Sequence, residues 1–211
     1  MNMKYSVLLL CFFMLACTSK EDVLLPKSDH TVVGDVTDHS PIYMFFKTKD
    51  KDTLVDVNRK NSIISTNWIL NIDKRLPLKL VIPEVIKLQM KKREEKAHKN
   101  ALAENYYSYA DSVGKNMAFI PFTHVYYEIG TPMKADLILY FKKGSKLVLC
   151  NNTTFDRAKI LTYLSGLNLE VTPRIILAFD KNMTFDQYIQ TKVIIREVDS
   201  FTNETPREFL F

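Results

Sequence analysis

The sequence predicts an α+β protein: a small ββαβαβ sheet-and-helix domain at the C-terminus, preceded by a strand-rich segment and one long helix. Three observations lead there. Strongly apolar runs of five or six residues, such as Arg174-Ile175-Ile176-Leu177-Ala178-Phe179, read as buried strands. Between them lie stretches whose apolar residues recur every three or four positions, the helical period. Hydrophobic residues make up 46% of the chain, enough for a real core.

The elements follow in order. Residues 1–16 read as an export signal: Met1-Asn2-Met3-Lys4 leads, and Val7 to Ala16 is an apolar run ending at Cys17. About ten apolar residues are half of what a spanning helix needs. Residues 17–40 are polar and aperiodic, a flexible tether. Within 41–82, Pro41 to Phe46 and Thr53 to Val57 read as a strand hairpin, Ser62 to Ile72 as a short amphipathic helix, and Leu78 to Ile82 as another strand.

Residues 83–117 read as the long helix. Pro83 suits its first turn and Gly114 its end, with Lys91-Lys92-Arg93-Glu94-Glu95-Lys96 solvated in the middle. About 45 Å long at 1.5 Å per residue, it would either lie over the domain or project from it. Residues 118–134, with Phe119, Phe122, Tyr126 and Tyr127, read equally as a packed loop or a short strand.

Residues 135–211 are the most legible. Asp136 to Phe141 is a strand, Lys143-Gly144-Ser145 a turn, and Leu147 to Cys150 the returning strand. A helix opens at Asn152-Thr153-Thr154-Phe155-Asp156 and ends near Gly166, with Phe155, Ala158, Leu161 and Leu164 inward. After the apolar strand a second helix opens at Asn182-Met183-Thr184-Phe185-Asp186, with Phe185, Tyr188, Ile189 and Val193 inward. Glu208 to Phe211 closes the sheet. The shared Asn-x-Thr-Phe-Asp suits helix starts. Thr154 and Thr184 can cap free amides, and Asp156 and Asp186 sit at the positive end of the dipole.

Chemistry-bearing residues are sparse. His30, His39, His98 and His124 are scattered without metal spacing. Asp38-His39-Ser40 has the letters of a triad, but adjacent side chains do not face one another. Asp180 and Asp186 read as a strand end and a helix cap. Cys150 is the one thiol left after Cys11 and Cys17 and reads as buried and inert. No catalytic, metal-binding or cofactor-binding set is expected. Net charge is +5 with both signs mixed, and the lack of an arginine cluster or of glycine-aromatic interleaving points away from nucleic acid.

Two resemblances add to this reading. Met14-Leu15-Ala16-Cys17 resembles a bacterial lipobox, which implies lipidation of Cys17 and anchoring in a bilayer of the cell envelope, the outer membrane being favoured over the inner. Lys20-Glu21-Asp22 resembles the surface-export signal of Bacteroidetes lipoproteins, and reads equally as a solvated tether. Asp52-Thr53-Leu54 and Asp111-Ser112-Val113 look like the O-glycosylation triplet of that phylum, with Thr53 and Ser112 as acceptors.

Residues 135 to 211 resemble the periplasmic domain of the ExbD/TolR family in order and pattern: strand pair, helix, apolar strand ending in Asp180, a helix from Thr184, a last strand. That resemblance implies a non-catalytic binding or coupling module. Its partner would be a TonB-like protein, peptidoglycan or a second copy in a homodimer. The family's spanning helix and proton-path aspartate have no counterpart in Val7 to Ala16, so no proton-channel role is implied. The alternatives are a surface lipoprotein binding a nutrient polymer or host ligand and, third, a hydrolase.

Overall fold

Inner and outer positions alternate from His39 to Phe45 and again from Asp52 to Asn58, which makes a hairpin with one wetter face. In the computed structural model, which describes residues 22–97, 99–132, 135, 137–167, 171–203 and 207–211, these stretches form β2 (His39–Lys49) and β3 (Asp52–Asn58). The turn between them takes Asp50 at φ 56°. Ile42 and Met44 of β2 are fully buried.

Next comes β4 (Asn67–Ile72), buried at every position after the first because it lies parallel to β2 on one side and β5 (Asn105–Asp111) on the other. A strand flanked on both edges and covered on both faces has no wet side to alternate with. Between β4 and β5 runs α1 (Leu78–Glu94), and β6 (Asn116–Pro121) returns antiparallel to β5.

This region departs from the sequence expectation in four places. Leu78 to Ile82 is the start of α1, not a strand: its alternation fits either form, but Leu78, Val81, Ile82, Val85 and Leu88 bury one helical face. Asn67 to Ile72 is a strand where a helix was expected. The long helix over 83–117 ends at Glu94, and Tyr107 and Tyr109, two apart, point into the core from β5. Gly114 sits in the β5–β6 turn, its amide donating to Asp111 Oδ1, where an added Cβ would meet Asp111 Oδ2 at 2.8 Å.

The tether is the fourth. From Asp22 onward the described residues are held: β1 (Lys27–Ser28) wedges beside β5 where β4 splays away, and Val36 is buried with Ile69 and Phe119. Cys17 to Glu21 lie outside the described residues.

A second sheet holds the C-terminal half. Its strands are β7 (Tyr127–Ile129), β8 (Leu137–Phe141), β9 (Leu147–Cys150), β10 (Thr153–Asp156), β11 (Ile175–Phe179) and β12 (Arg207–Leu210), ordered β10-β9-β8-β11-β12-β7. Two helices accompany them, α2 (Ile160–Ser165) and α3 (Phe185–Ile194). All five residues of β11 are buried, between parallel β8 and β12. Over 118–134, read either as a packed loop or as a short strand connecting the parts, β6 ends at Pro121 and β7 is a three-residue strand.

β10 is an extra strand, so the order is strand, strand, strand, helix, strand, helix, strand. Asn151 and Asn152 both take positive φ (44° and 67°), which asparagine tolerates and a tight hairpin turn demands. The helix expected from Asn152 is therefore delayed. Asp156 caps a single 3₁₀ turn at Arg157–Lys159 by accepting from the Ala158 amide, and α2 starts at Ile160. Ile160 and Leu164 are its buried residues, and Leu161 is only partly buried.

The two Asn-x-Thr-Phe-Asp segments thus diverge. Thr184 does cap α3, in a reciprocal capping box with Gln187, while Thr154 is a strand residue. Thr184→Ala should therefore lose about 1 kcal/mol of stability in urea denaturation. Thr154→Ala should lose less than about 0.5 kcal/mol.

Compared with one another, the halves show the same unit twice. The order β3-β2-β4-β5 matches β9-β8-β11-β12, with the same parallel and antiparallel senses, and α1 and α3 occupy the same crossover. The turns that start the helices align without a gap, Ile69-Leu70-Asn71-Ile72-Asp73-Lys74-Arg75-Leu76-Pro77-Leu78 against Ile176-Leu177-Ala178-Phe179-Asp180-Lys181-Asn182-Met183-Thr184-Phe185, with the first Ile-Leu and the Asp-Lys pair identical. In each, the aspartate amide donates to a carbonyl of the first hairpin strand (Asp73 to Met44 O, 3.0 Å; Asp180 to Phe141 O, 2.9 Å). In each, its carboxylate accepts from the amide two residues on (Arg75, 3.0 Å; Asn182, 2.8 Å).

Candidate functional site

The two turns meet and bond reciprocally. The Leu78 amide donates to Met183 O (2.9 Å) and the Phe185 amide to Leu76 O (2.8 Å); Lys79 donates to Lys181 O (2.8 Å) and Asp186 to Lys74 O (3.1 Å). This is the pattern of an isologous contact about an approximate twofold axis, here within one chain. It satisfies the first amides of both helices, which explains how α1 begins at Pro77 with no side-chain cap.

Behind the junction the core is continuous. Tyr107 of β5 stacks on Phe122 (3.8 Å between ring centres) and meets Phe185 and Tyr188 of α3 edge-on (5.3 and 6.2 Å). A polar chain crosses here too. The Tyr107 and Tyr127 hydroxyls are 2.8 Å apart, Tyr127 and Tyr188 3.2 Å, and Tyr188 donates to Glu208 Oε2 at 2.7 Å. Lys192 closes it on Glu208 Oε1 at 2.5 Å. Burial, reinforced by neighbouring hydroxyls and the Glu208 charge, holds all three tyrosines well above their ordinary pKa. They serve as hydrogen-bonding groups, sealed from any substrate.

Lys92 is a second buried cation. It donates to Thr66 O, Glu104 O and Asn105 Oδ1 (3.0, 3.2 and 2.9 Å) and stands over the Trp68 ring at 4.9 Å. Burial lowers its pKa to about 8, against the opposing pull of Glu104. With all three of its donors engaged, it ties α1 to the end of β5.

In front of the junction lies an open cavity of about 430 Å³. Lys51, Asp52 and Thr53 of the β2–β3 hairpin line it, with Arg75, Pro77, Lys79 and Leu80 from the first turn, Lys143 from the β8–β9 turn, and Asn182 and Thr184 from the second turn. Arg75 is committed: Nε donates to Asp73 Oδ1 (2.8 Å), Nη2 to Asp73 Oδ2 (2.7 Å), and the guanidinium stacks over Phe46. Burial raises the Asp73 pKa, but the bonds from Arg75 and from the Arg75 and Leu24 amides outweigh it and hold it below the usual range. Lys51, Lys79 and Lys143 make no ion pair with any described residue.

Comparison of the chain with protein-family models, curated proteins and solved structures found no match.

The residues singled out from sequence are placed as follows. Cys17 lies outside the described residues, as does His98. Thr53, half-buried, lines the cavity; Ser112 is exposed in the β5–β6 turn and donates to Ser28 O at 2.8 Å. Cys150 is fully buried, which pushes its thiol pKa up.

The structure does not assemble Asp38, His39 and Ser40: His39 Nδ1 donates to Val36 O, while Ser40 Oγ pairs with Thr66 Oγ1. Asp180 accepts from the Asn182 and Lys143 amides, and Asp186 from the Lys27 amide and Gln190. Among the described residues no three His, Cys, Asp or Glu side chains are grouped to hold a metal. The cavity's cations come from separate segments, so no local motif marks them. The one available signal was the ten-residue repeat around Asp73 and Asp180.

Proposed function

We propose that this chain is a lipid-anchored protein of the cell envelope whose folded part is a non-catalytic binding or coupling module, similar to the periplasmic domain of ExbD/TolR. The observation that carries the proposal is the arrangement around β11. A fully buried strand ends in Asp180, is followed at once by Thr184-capped α3, and lies between parallel β8 and β12. Asp73, α1 and β5 repeat that arrangement, so the contact with a second copy is supplied inside one chain. Two rigidly paired units suit a protein that holds a partner, a TonB-like chain or peptidoglycan. No described helix is long and apolar enough to cross a membrane, and the bilayer contact in this proposal is acylated Cys17. Ser112 and Thr53 are the proposed glycan acceptors.

Cys17→Ser should abolish incorporation of labelled fatty acid and leave the uncleaved precursor, which keeps Val7 to Ala16 and migrates more slowly. Unchanged labelling and mobility would rule out the anchor. Proteinase K added to intact cells separates the two leading roles. Protection until the outer membrane is permeabilised is the coupling result. Digestion in intact cells transfers the reading to a surface lipoprotein that captures a nutrient polymer or host ligand, the role that goes with Lys20-Glu21-Asp22.

A further inference from the structure

We propose that the cavity in front of the twofold junction is a binding site for a phosphate-bearing ligand, held by Lys51, Lys79 and Lys143. These three lysines come from the β2–β3 turn, the first turn of α1 and the β8–β9 turn and line one space of about 430 Å³. Like charges on one lining repel, and the acids beside them are fewer than the lysines: Asp52 on the lining itself and Asp180 behind it, whose carboxylate accepts from the Lys143 and Asn182 amides. An anion removes that repulsion, and several oxygens are needed to meet donors arriving from different elements.

The donor set selects the class of anion. A carboxylate is best held by the planar fork of an arginine, and the fork in this cavity, Arg75, is already closed on Asp73. What remains is point charges, which suit the tetrahedral, multiply charged phosphate group. Neutral donors stand beside them. The Asn182 side-chain amide makes no hydrogen bond to a described residue. The Thr184 hydroxyl accepts from the Gln187 amide and keeps its own proton to donate.

Because both units contribute, the site exists only when they are paired. The proposal is independent of the envelope role, since it depends neither on acylation nor on a coupling partner.

The test is calorimetric titration of the full-length protein, in a nonionic detergent at low salt, with pyrophosphate. Saturable binding is expected, tighter than for acetate. Lys79→Ala and Lys143→Ala should each weaken it about tenfold, the loss of one charge-assisted bond, and the triple variant with Lys51→Ala should abolish it. All three lysines are exposed, so these variants should keep the parent melting temperature. Lys87→Ala with Lys91→Ala, exposed on α1 away from the cavity, is the control and should bind as the parent does.

Flotation of the chain from Thr18 onward, which carries neither the apolar run nor the acylated cysteine, with phosphatidylcholine vesicles, with and without phosphatidylglycerol, distinguishes the sources. Flotation that needs both phosphatidylglycerol and the three lysines identifies a lipid headgroup; pyrophosphate binding without it identifies a soluble phosphorylated ligand. No saturable pyrophosphate binding by about 10 mM, or a loss as large in the control as in the triple variant, would overturn the proposal.

Discussion

Lys192→Met is expected to destabilise the protein by about 3–5 kcal/mol, the usual result of stranding one member of a buried ion pair. The Glu208 side chain is 1% exposed and the Lys192 side chain 15%, so water can reach the lysine end but not the carboxylate. With Lys192 gone, Glu208 keeps only the Tyr188 hydroxyl as a donor. The double variant Lys192→Met with Glu208→Leu removes the stranded charge together with its partner, and should regain most of the loss. The Tyr188 hydroxyl retains Tyr127 as a partner in that variant. Urea denaturation of the two single variants, the double variant and the parent closes the cycle. A Lys192→Met loss under about 1 kcal/mol would place the pair in the class of solvated surface bridges and contradict the burial described.

Phe185→Ala should lose about 3–5 kcal/mol, the cost of deleting a fully buried aromatic ring and leaving a cavity. Its location makes the form of unfolding as informative as the size of the loss. The ring lies against Tyr107 of the first unit while its amide bonds Leu76 O. Both units should therefore unfold together, in one transition that moves to lower urea with the slope nearly unchanged. Two separated transitions would show that the units are stable apart and that the shared core contributes little.

The Asp73 and Asp180 turns show why the duplication escapes a reading by local pattern. Around Asp180, the apolar strand before it and Thr184 after it are both strong local signals, and strand and capped helix were expected where they stand. Around Asp73 the same turn carries Pro77 in the capping position, and Leu78-Lys79-Leu80-Val81-Ile82 alternates like a strand. The amides there are satisfied by Lys181 and Met183, about a hundred residues away, and distant acceptors leave no trace in the local sequence. Tyr106 to Val113 is a similar case. Its spacing fits a helix, but β4 and β6 offer backbone partners on both edges, and pairing outweighs propensity.

The cavity follows the same logic. Lys51 and Lys143 each stand in an ordinary polar hairpin turn, and Lys79 is an unremarkable helix residue. Only the antiparallel meeting of Pro77 with Thr184 puts them on one lining. By contrast, Gly144 at φ 71° was readable, because the left-handed residue of a tight turn is a requirement that arises within a few residues.

Local sequence is enough for the α+β class, the buried apolar strand Ile175–Phe179 and the Thr184-capped helix that follows it. Each depends on spacing or chemistry within about ten residues, a range over which side-chain period and capping act directly. Long-range contacts settle that Asn67–Ile72 and Asn105–Asp111 are strands, that residues 22–38 pack on the fold, and that two like units meet at a junction with a basic cavity in front of it. Those outcomes rest on hydrogen bonds and apolar contacts between segments far apart in the chain, whose partners exist only once the chain has folded.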